Sequence, residues 1–192
     1  MKPRPPSDSG QSLLEFAVIL PLVLVLVLGI IEVGYALLDQ HVVTKLTREG
    51  SNLISRDASL QDAVTALKNM SSRPVNFNDG SSKVIFSVIK KVSTVGASNY
   101  NRDILYQRAE YGTLAASSAL VGGNGSFGAA PEYQANNSDN DTNLQLSNLP
   151  ANLTTLGGML YVTEIYTRHL LITPFDRLGI SVPSTLYSVA YF

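Results

Sequence analysis

The sequence contains no cysteine and only two histidines. Without cysteine there is no disulfide framework and no zinc site built on thiolates. His41 and His169 do not form a metal-binding spacing such as H-E-x-x-H, and neither a G-x-S-x-G nucleophile motif nor a phosphate-binding glycine loop is present. We therefore expect no enzyme, no cofactor and no bound metal, and we expect both histidines to lie at the surface or at a membrane interface.

The chain also lacks an excess of either charge. Fourteen lysines and arginines oppose 15 aspartates and glutamates, which gives a formal net charge of -1. A nucleic-acid-binding protein needs a basic footprint, so nucleic acid is not an expected partner. A length of 192 residues allows one ordinary domain with an appendage.

What the sequence does have is a long apolar run near its N-terminus. No charged residue occurs between Phe16 and Ile31, a stretch of about 24 Å as an α-helix. Apolar residues continue beyond Glu32 to Leu38, which makes the run long enough for a hydrocarbon layer of about 30 Å. A soluble helix of this length would carry a polar stripe, and none occurs before Asp39. We predict a transmembrane helix over residues 11–38.

The residues before this run indicate how it is oriented. Lys2 and Arg4 place positive charge ahead of the apolar residues, which favours a cytoplasmic N-terminus. The chain from about residue 40 onward is then expected outside a bacterial inner membrane, as a single-pass protein. The apolar run does not end in the A-x-A pattern of an ordinary secretory signal.

Several motifs in and around the run are typical of one family. Gly10 is followed by Gln11 and, five residues after the glycine, by Glu15, which resembles the cleavage site of type IV prepilins. The Leu20-Pro21-Leu22 step, the stretch from Gly29 to Gly34 and Thr47-Arg48-Glu49-Gly50 are similar to the TadE-like proteins of the tight-adherence (Tad, or Flp) pilus. A fainter similarity occurs at residues 161–166 and 171–174.

The resemblance implies a function and a set of partners. It implies a minor pilin or pseudopilin for a Tad adhesion pilus, with residues 1–10 as a leader cut after Gly10 by a prepilin peptidase. Gln11 would become the mature N-terminus, and the carboxylate of Glu15 would pair with the N-terminal amine of a neighbouring subunit. The implied partners are other pilins through the N-terminal helix, the peptidase, the inner-membrane assembly platform and membrane lipid.

The same residues also have simpler interpretations. Glu15 could lie at the level of the lipid headgroups, where a carboxylate is tolerated, and Pro21 could be a structural kink. We predict that Pro21, Gly29, Glu32 and Gly34 are structural residues of the membrane helix. The family pattern assigns no specific role to Glu32, which could simply mark the outer interface. An alternative function is a signal-anchored envelope protein that is never cut at Gly10 and whose outer domain binds a ligand or acts as an enzyme.

Beyond the membrane segment the sequence predicts an α+β, pilin-like fold. Leu38, Val42 and Leu46 recur at helical spacing, so residues 39–70 are an amphipathic helical continuation in which Gly50 could bend or end the first helix. Ser59 and Asp62 form a capping pattern for a second helix. Residues 71–192 form an outer domain with a small antiparallel sheet, and the helix covers one face of that sheet. The predicted strands are 83–92, 159–167 and 186–192, while 104–111 could be strand or helix.

A polar stretch over residues 121–158 separates the predicted strands and is expected to be a solvated loop. Within it, Asp139, Asp141 and Asn143 resemble the opening of a calcium-binding loop, because alternate oxygen side chains can converge on one cation. Leu144 stands where such a loop needs glycine, and no glutamate closes the loop. A loop without bound calcium is therefore the favoured interpretation.

Overall fold

The computed structural model describes residues 9–150, 152–179 and 184–192, so most of the predicted leader lies outside the described residues. Helix α1 (Ser9–Ser55) is followed by helix α2 (Leu60–Met70) and by four strands. The strands are β1 (Ser82–Lys91), β2 (Asp103–Tyr111), β3 (Met159–Arg168) and β4 (Thr185–Tyr191). Short 3-10 helices occupy Thr142–Leu144 and Pro174–Leu178. The predicted α+β class is confirmed.

The chain divides into two compact units. The first contains residues up to Leu38 together with Leu171–Val182, and the second contains Asp39–Leu170 and Pro183–Phe192. Helix α1 therefore contributes its first part to one unit and its last part to the other. Each unit has its own pattern of burial.

In the first unit, the part of α1 up to Leu38 is apolar and exposed on most of its surface. Among the described residues, α1 is the one helix that is long and apolar enough to cross a membrane. This agrees with the predicted single-pass anchor. The exposed side chains include Leu13, Leu14, Phe16, Val18, Ile19, Leu22, Leu24, Leu26, Ile30 and Leu37.

The second unit is built on a four-stranded sheet with the order β2-β1-β3-β4, in which every neighbouring pair is antiparallel. Residues 39–55 of α1 and helix α2 cover one face of this sheet, as predicted. The buried side chains between these helices and the sheet are Val43, Leu46, Ile54, Leu60, Ala63, Val64, Leu67, Val84, Phe86, Val88 and Ile165.

Gly50 lies where α1 comes close to the sheet. A Cβ built on Gly50 would lie 2.8 Å from Cγ2 of Thr163 and 3.1 Å from Cε1 of Phe86. The helix does not end at Gly50 but continues to Ser55. The expectation that this glycine ends the helix is therefore wrong, because its missing side chain makes room for the sheet instead.

Helix α2 begins as the capping pattern predicts. The Oγ of Ser59 accepts a hydrogen bond from the backbone N–H of Asp62 at 3.1 Å. This contact satisfies one of the amides that a helix leaves unpaired at its start. The helix ends at Met70, before Pro74.

A few buried side chains of the segment between β2 and β3 pack on the second face of the sheet, while most described residues of 121–158 are exposed or partly exposed, so the expected solvated loop also carries a small buried layer. Leu120 packs with Ile89, Leu160 and Val162, and Leu144 packs with Ile104. Isolated backbone bridges join this segment to itself and to β2. Its apolar residues are too widely spaced to show a period, which is why the sequence pattern missed this layer.

Candidate functional site

The entry of α1 carries the predicted processing and assembly residues. A Cβ built on Gly10 would meet nothing within 4 Å, so no contact of the described residues requires a glycine at this position. The side-chain amide of Gln11 donates a hydrogen bond to Oε1 of Glu15 at 3.0 Å, and both side chains are exposed. The carboxylate of Glu15 is therefore accessible to another molecule.

Pro21, Gly29 and Gly34 lie inside α1, as predicted for the membrane segment. Helix α1 continues through Pro21 in spite of the missing backbone N–H. A Cβ on Gly29 would lie 3.8 Å from Cζ of Phe175, whereas one on Gly34 would meet nothing within 4 Å. Of the two glycines, Gly29 is therefore the one that faces another described segment of the first unit.

Glu32 is the residue that the structure adds to the candidate site. Its side chain is only 3% exposed, although it lies in the apolar part of α1. Its carboxylate accepts hydrogen bonds from the backbone N–H of Ile172 at 3.2 Å, from the N–H of Thr173 at 2.9 Å and from Oγ1 of Thr173 at 2.5 Å. We call this group, Glu32 with Ile172 and Thr173, the Glu32 clasp.

The clasp answers a question that the sequence left open. A carboxylate in an apolar environment is costly unless several donors satisfy it, and the clasp supplies at least three. Thr173 follows Glu32 by 141 residues, so no local pattern could pair them. The one signal in the sequence was the faint family similarity at residues 171–174, which contains both donors.

The calcium candidates contact groups of their own loop and of the connection between β1 and β2. Asp139 accepts a hydrogen bond from Oγ1 of Thr94 at 2.8 Å. Oδ1 of Asp141 accepts from both the backbone and the side-chain N–H groups of Asn143, each at 3.0 Å, and so caps the short 3-10 helix. Leu144, which replaces the glycine of a calcium loop, is fully buried in the second layer. These contacts give the carboxylates a structural role within the loop.

The two histidines lie in different environments. His41 is exposed, as predicted. His169 is buried, and its Nδ1 lies 2.8 Å from Oδ2 of Asp39. The expectation of a surface or interfacial position is therefore wrong for His169, because the turn after β3 brings it against α1.

Two carboxylates of β2 form separate ion pairs with lysines of β1. Asp103 pairs with Lys91 at 3.8 Å and Glu110 pairs with Lys83 at 2.8 Å, so each is neutralised separately. Within residues 9–150, 152–179 and 184–192, no group of three or more histidine, aspartate or glutamate side chains could hold a metal ion.

Glu164 is a second buried carboxylate, on the loop-covered face of the sheet. It accepts hydrogen bonds from Oγ of Ser118, from the N–H of Ala119 at 2.8 Å and from the hydroxyls of Tyr166 and Tyr187 at 3.3 and 3.2 Å. Burial, together with the charge of Glu164, raises the pKa of Tyr166 to about 12 and also raises the pKa of Tyr187. These contacts attach the covering loop to β3 and β4.

Comparison with known proteins bears on one part of the chain. Residues 10–52 match the family model described as TadE-like protein. No curated protein and no solved structure matches the chain. The match confirms the resemblance over the apolar helix and its first turns beyond, and it is consistent with a protein related to the Tad pilus.

Proposed function

We propose, from the TadE-like match over residues 10–52, that this chain is a minor pilin or pseudopilin of a Tad-type adhesion pilus. The match includes the part of α1 up to Leu38, where most apolar side chains are exposed. Lipid would cover this surface before assembly, and the helices of neighbouring pilins would cover it afterwards through van der Waals packing. The proposed role is structural and requires no catalysis.

The proposed orientation follows the charges that flank the helix. Lys2 and Arg4 would keep the N-terminus in the cytoplasm, and the second unit would lie outside the inner membrane. In this position the cytoplasmic leader meets the prepilin peptidase, and the membrane helix meets the assembly platform. The peptidase would cut between Gly10 and Gln11.

Mass spectrometry of the mature N-terminus tests the processing step. In cells that contain the peptidase, we expect a chain that begins at Gln11. Gly10→Leu should leave the precursor uncut because the peptidase cuts after glycine. Gly34→Leu is the matched control, since a side chain at Gly34 also meets nothing within 4 Å, and it should be processed normally. An intact leader in the natural sequence would favour the signal-anchored envelope protein instead.

Glu15→Val tests the proposed assembly contact. In the structure, the carboxylate of Glu15 accepts a hydrogen bond from the side chain of Gln11, the residue whose amine the cut would release. In a filament, the amine of a neighbouring Gln11 would take this place. Loss of a buried charge pair costs about 3–5 kcal/mol, so we expect the chain recovered in purified pili to fall at least about tenfold.

Two controls make the Glu15 experiment specific. The amount of Glu15→Val protein in the inner membrane should be unchanged, because an apolar replacement favours insertion. Glu15→Gln keeps the acceptor oxygen but removes the charge, so a charge-dependent contact should be weakened by this variant as well. Normal recovery of Glu15→Val protein in the pili would reject the assembly role of this carboxylate.

A further inference from the structure

We propose that residues 171–175 form a second membrane contact, held against the membrane helix by the Glu32 clasp. We expect the surface of residues 171–175 to contact lipid at the boundary between the headgroups and the acyl chains. This inference rests on the membrane insertion of α1 but not on pilus assembly. It assigns a role to Glu32 and to a segment near the other end of the chain.

The position of the clasp along α1 supports this contact. Glu32 follows Phe16 by about 24 Å of helix, which lies within the roughly 30 Å of a hydrocarbon layer. The apolar surface does not stop there, since Val33 and Leu37 are exposed further along the helix. A segment that is hydrogen-bonded to Glu32 is therefore at the level of lipid when α1 spans the membrane.

The chemistry of the clasp suits such a position. Residues 171–173 are outside the regular helices and strands, so their N–H groups have no helical or sheet partners. In lipid, non-helical backbone is tolerated only when the protein itself satisfies its polar groups. The carboxylate of Glu32 accepts from the N–H groups of Ile172 and Thr173, and these donors in turn satisfy the carboxylate. The carboxylate of Glu32 and the two N–H groups therefore satisfy each other, which lowers the free-energy cost of burying both in the apolar region.

The side chains of the segment divide between the helix and the outside. Phe175 is 5% exposed, and its ring lies beside Gly29 of α1. Ile172 is 51% exposed, although it is a large apolar residue. Arg177 is also exposed, two residues beyond Phe175, where a cation can contact lipid phosphate. An apolar side chain that points away from the protein and a nearby cation are typical of an interfacial membrane element.

Single-tryptophan quenching tests the proposal in the full chain. The protein has no tryptophan, so Ile172→Trp introduces one reporter at an exposed position. The variant is reconstituted into vesicles of phosphatidylcholine brominated either near the headgroup or near the end of the acyl chain. We expect blue-shifted emission and quenching at least about twofold stronger with the shallow bromine than with the deep bromine.

Two further variants separate this inference from the membrane insertion on which it rests. Leu24→Trp, in the middle of the apolar run, should be quenched most by the deep bromine. Val95→Trp, at a position that is 83% exposed in a polar turn, should emit at long wavelength without quenching. If Leu24→Trp is quenched while Ile172→Trp behaves like Val95→Trp, the second membrane contact is rejected. If Leu24→Trp is not quenched, the membrane insertion itself fails.

The clasp is tested by adding Glu32→Leu to Ile172→Trp. Without the carboxylate, the N–H groups of Ile172 and Thr173 should leave the apolar region for water. We expect the shallow quenching to fall at least about twofold and the emission to shift to longer wavelength. Unchanged quenching in the double variant would overturn the role of Glu32 in holding the segment.

Discussion

The two parts of helix α1 differ in where their apolar side chains lie, although the helical backbone is continuous. Between Gly10 and Leu38, most apolar side chains are exposed, and Glu32 is a strongly buried polar residue. From Asp39 to Ser55, one face is buried against a sheet, and Gly50 allows the sheet to approach. The exposed apolar surface of the first part is suited to contact with lipid or with other helices. The apolar face of the second part is instead buried against its own domain. Hydrogen bonds to a carboxylate attach a segment to the first part, and close packing attaches the sheet to the second.

Glu32→Leu should produce the largest effect, because it removes the carboxylate that attaches residues 172 and 173 to the first part of α1. It leaves three donors of Ile172 and Thr173 without their acceptor, and each unmatched buried donor costs about 1–3 kcal/mol. We expect the amides of residues 172 and 173 to lose at least about tenfold of their hydrogen-exchange protection in nanodiscs.

Glu15→Leu is the matched control for that experiment, because Glu15 lies on the same helix but is exposed. It should leave the protection of residues 172 and 173 unchanged. Glu32→Gln keeps an acceptor oxygen and should give an intermediate loss. Full protection in Glu32→Leu would show that packing of Phe175, rather than the carboxylate, holds the segment.

Gly50→Ala tests the second part of the helix and should have a smaller effect. The added methyl group would meet Thr163 and Phe86 at distances that require the sheet to shift. Overpacking of this kind costs about 1–3 kcal/mol. We therefore expect the free energy of unfolding of the second unit, measured in detergent, to fall by about this amount. Gly34→Ala adds the same atom where nothing lies within 4 Å and should change stability by less than about 0.5 kcal/mol. Equal effects of the two variants would contradict the packing role of Gly50.

Tyr166→Phe should have the smallest effect. It tests the contacts of Glu164, the second buried carboxylate, after those of Glu32. The pKa of Tyr166 is raised from 10.0 to about 12, first by burial and then by the charge and hydrogen bond of Glu164. Because the folded state holds this proton more tightly than the unfolded state, the contribution of Tyr166 is complete below pH 10. It is lost as the pH rises from 10 to about 12.

Unfolding measured by near-ultraviolet circular dichroism across this alkaline range checks the prediction. Stability should fall with pH in the natural sequence, and the slope should be shallower in Tyr166→Phe. Tyr100→Phe removes an exposed tyrosine outside the Glu164 cluster and serves as the control. A slope that is the same in both variants would show that Tyr166 does not carry this pH dependence.

Much of the fold follows from local patterns. The cap of α2 at Ser59, the strands beginning at Ser82 and Met159 and the long apolar helix each depend on neighbouring residues, and the structure has them. The layer formed by Leu120 and Leu144 could not be predicted in this way, because isolated apolar residues in a polar stretch have no period. The close approach at Gly50 was also hidden, since a helical glycine gives the same sequence signal whether it bends a helix or contacts a sheet.

The sequence alone determined that one helix is apolar enough for a membrane and that its entry matches the TadE-like pattern. These properties depend on composition and on short spacings, which do not change when the chain folds. Only the tertiary structure decided what Glu32 does, because its donors are 140 and 141 residues away. A buried carboxylate is defined by the groups that satisfy it, and long-range contacts alone bring those groups to it.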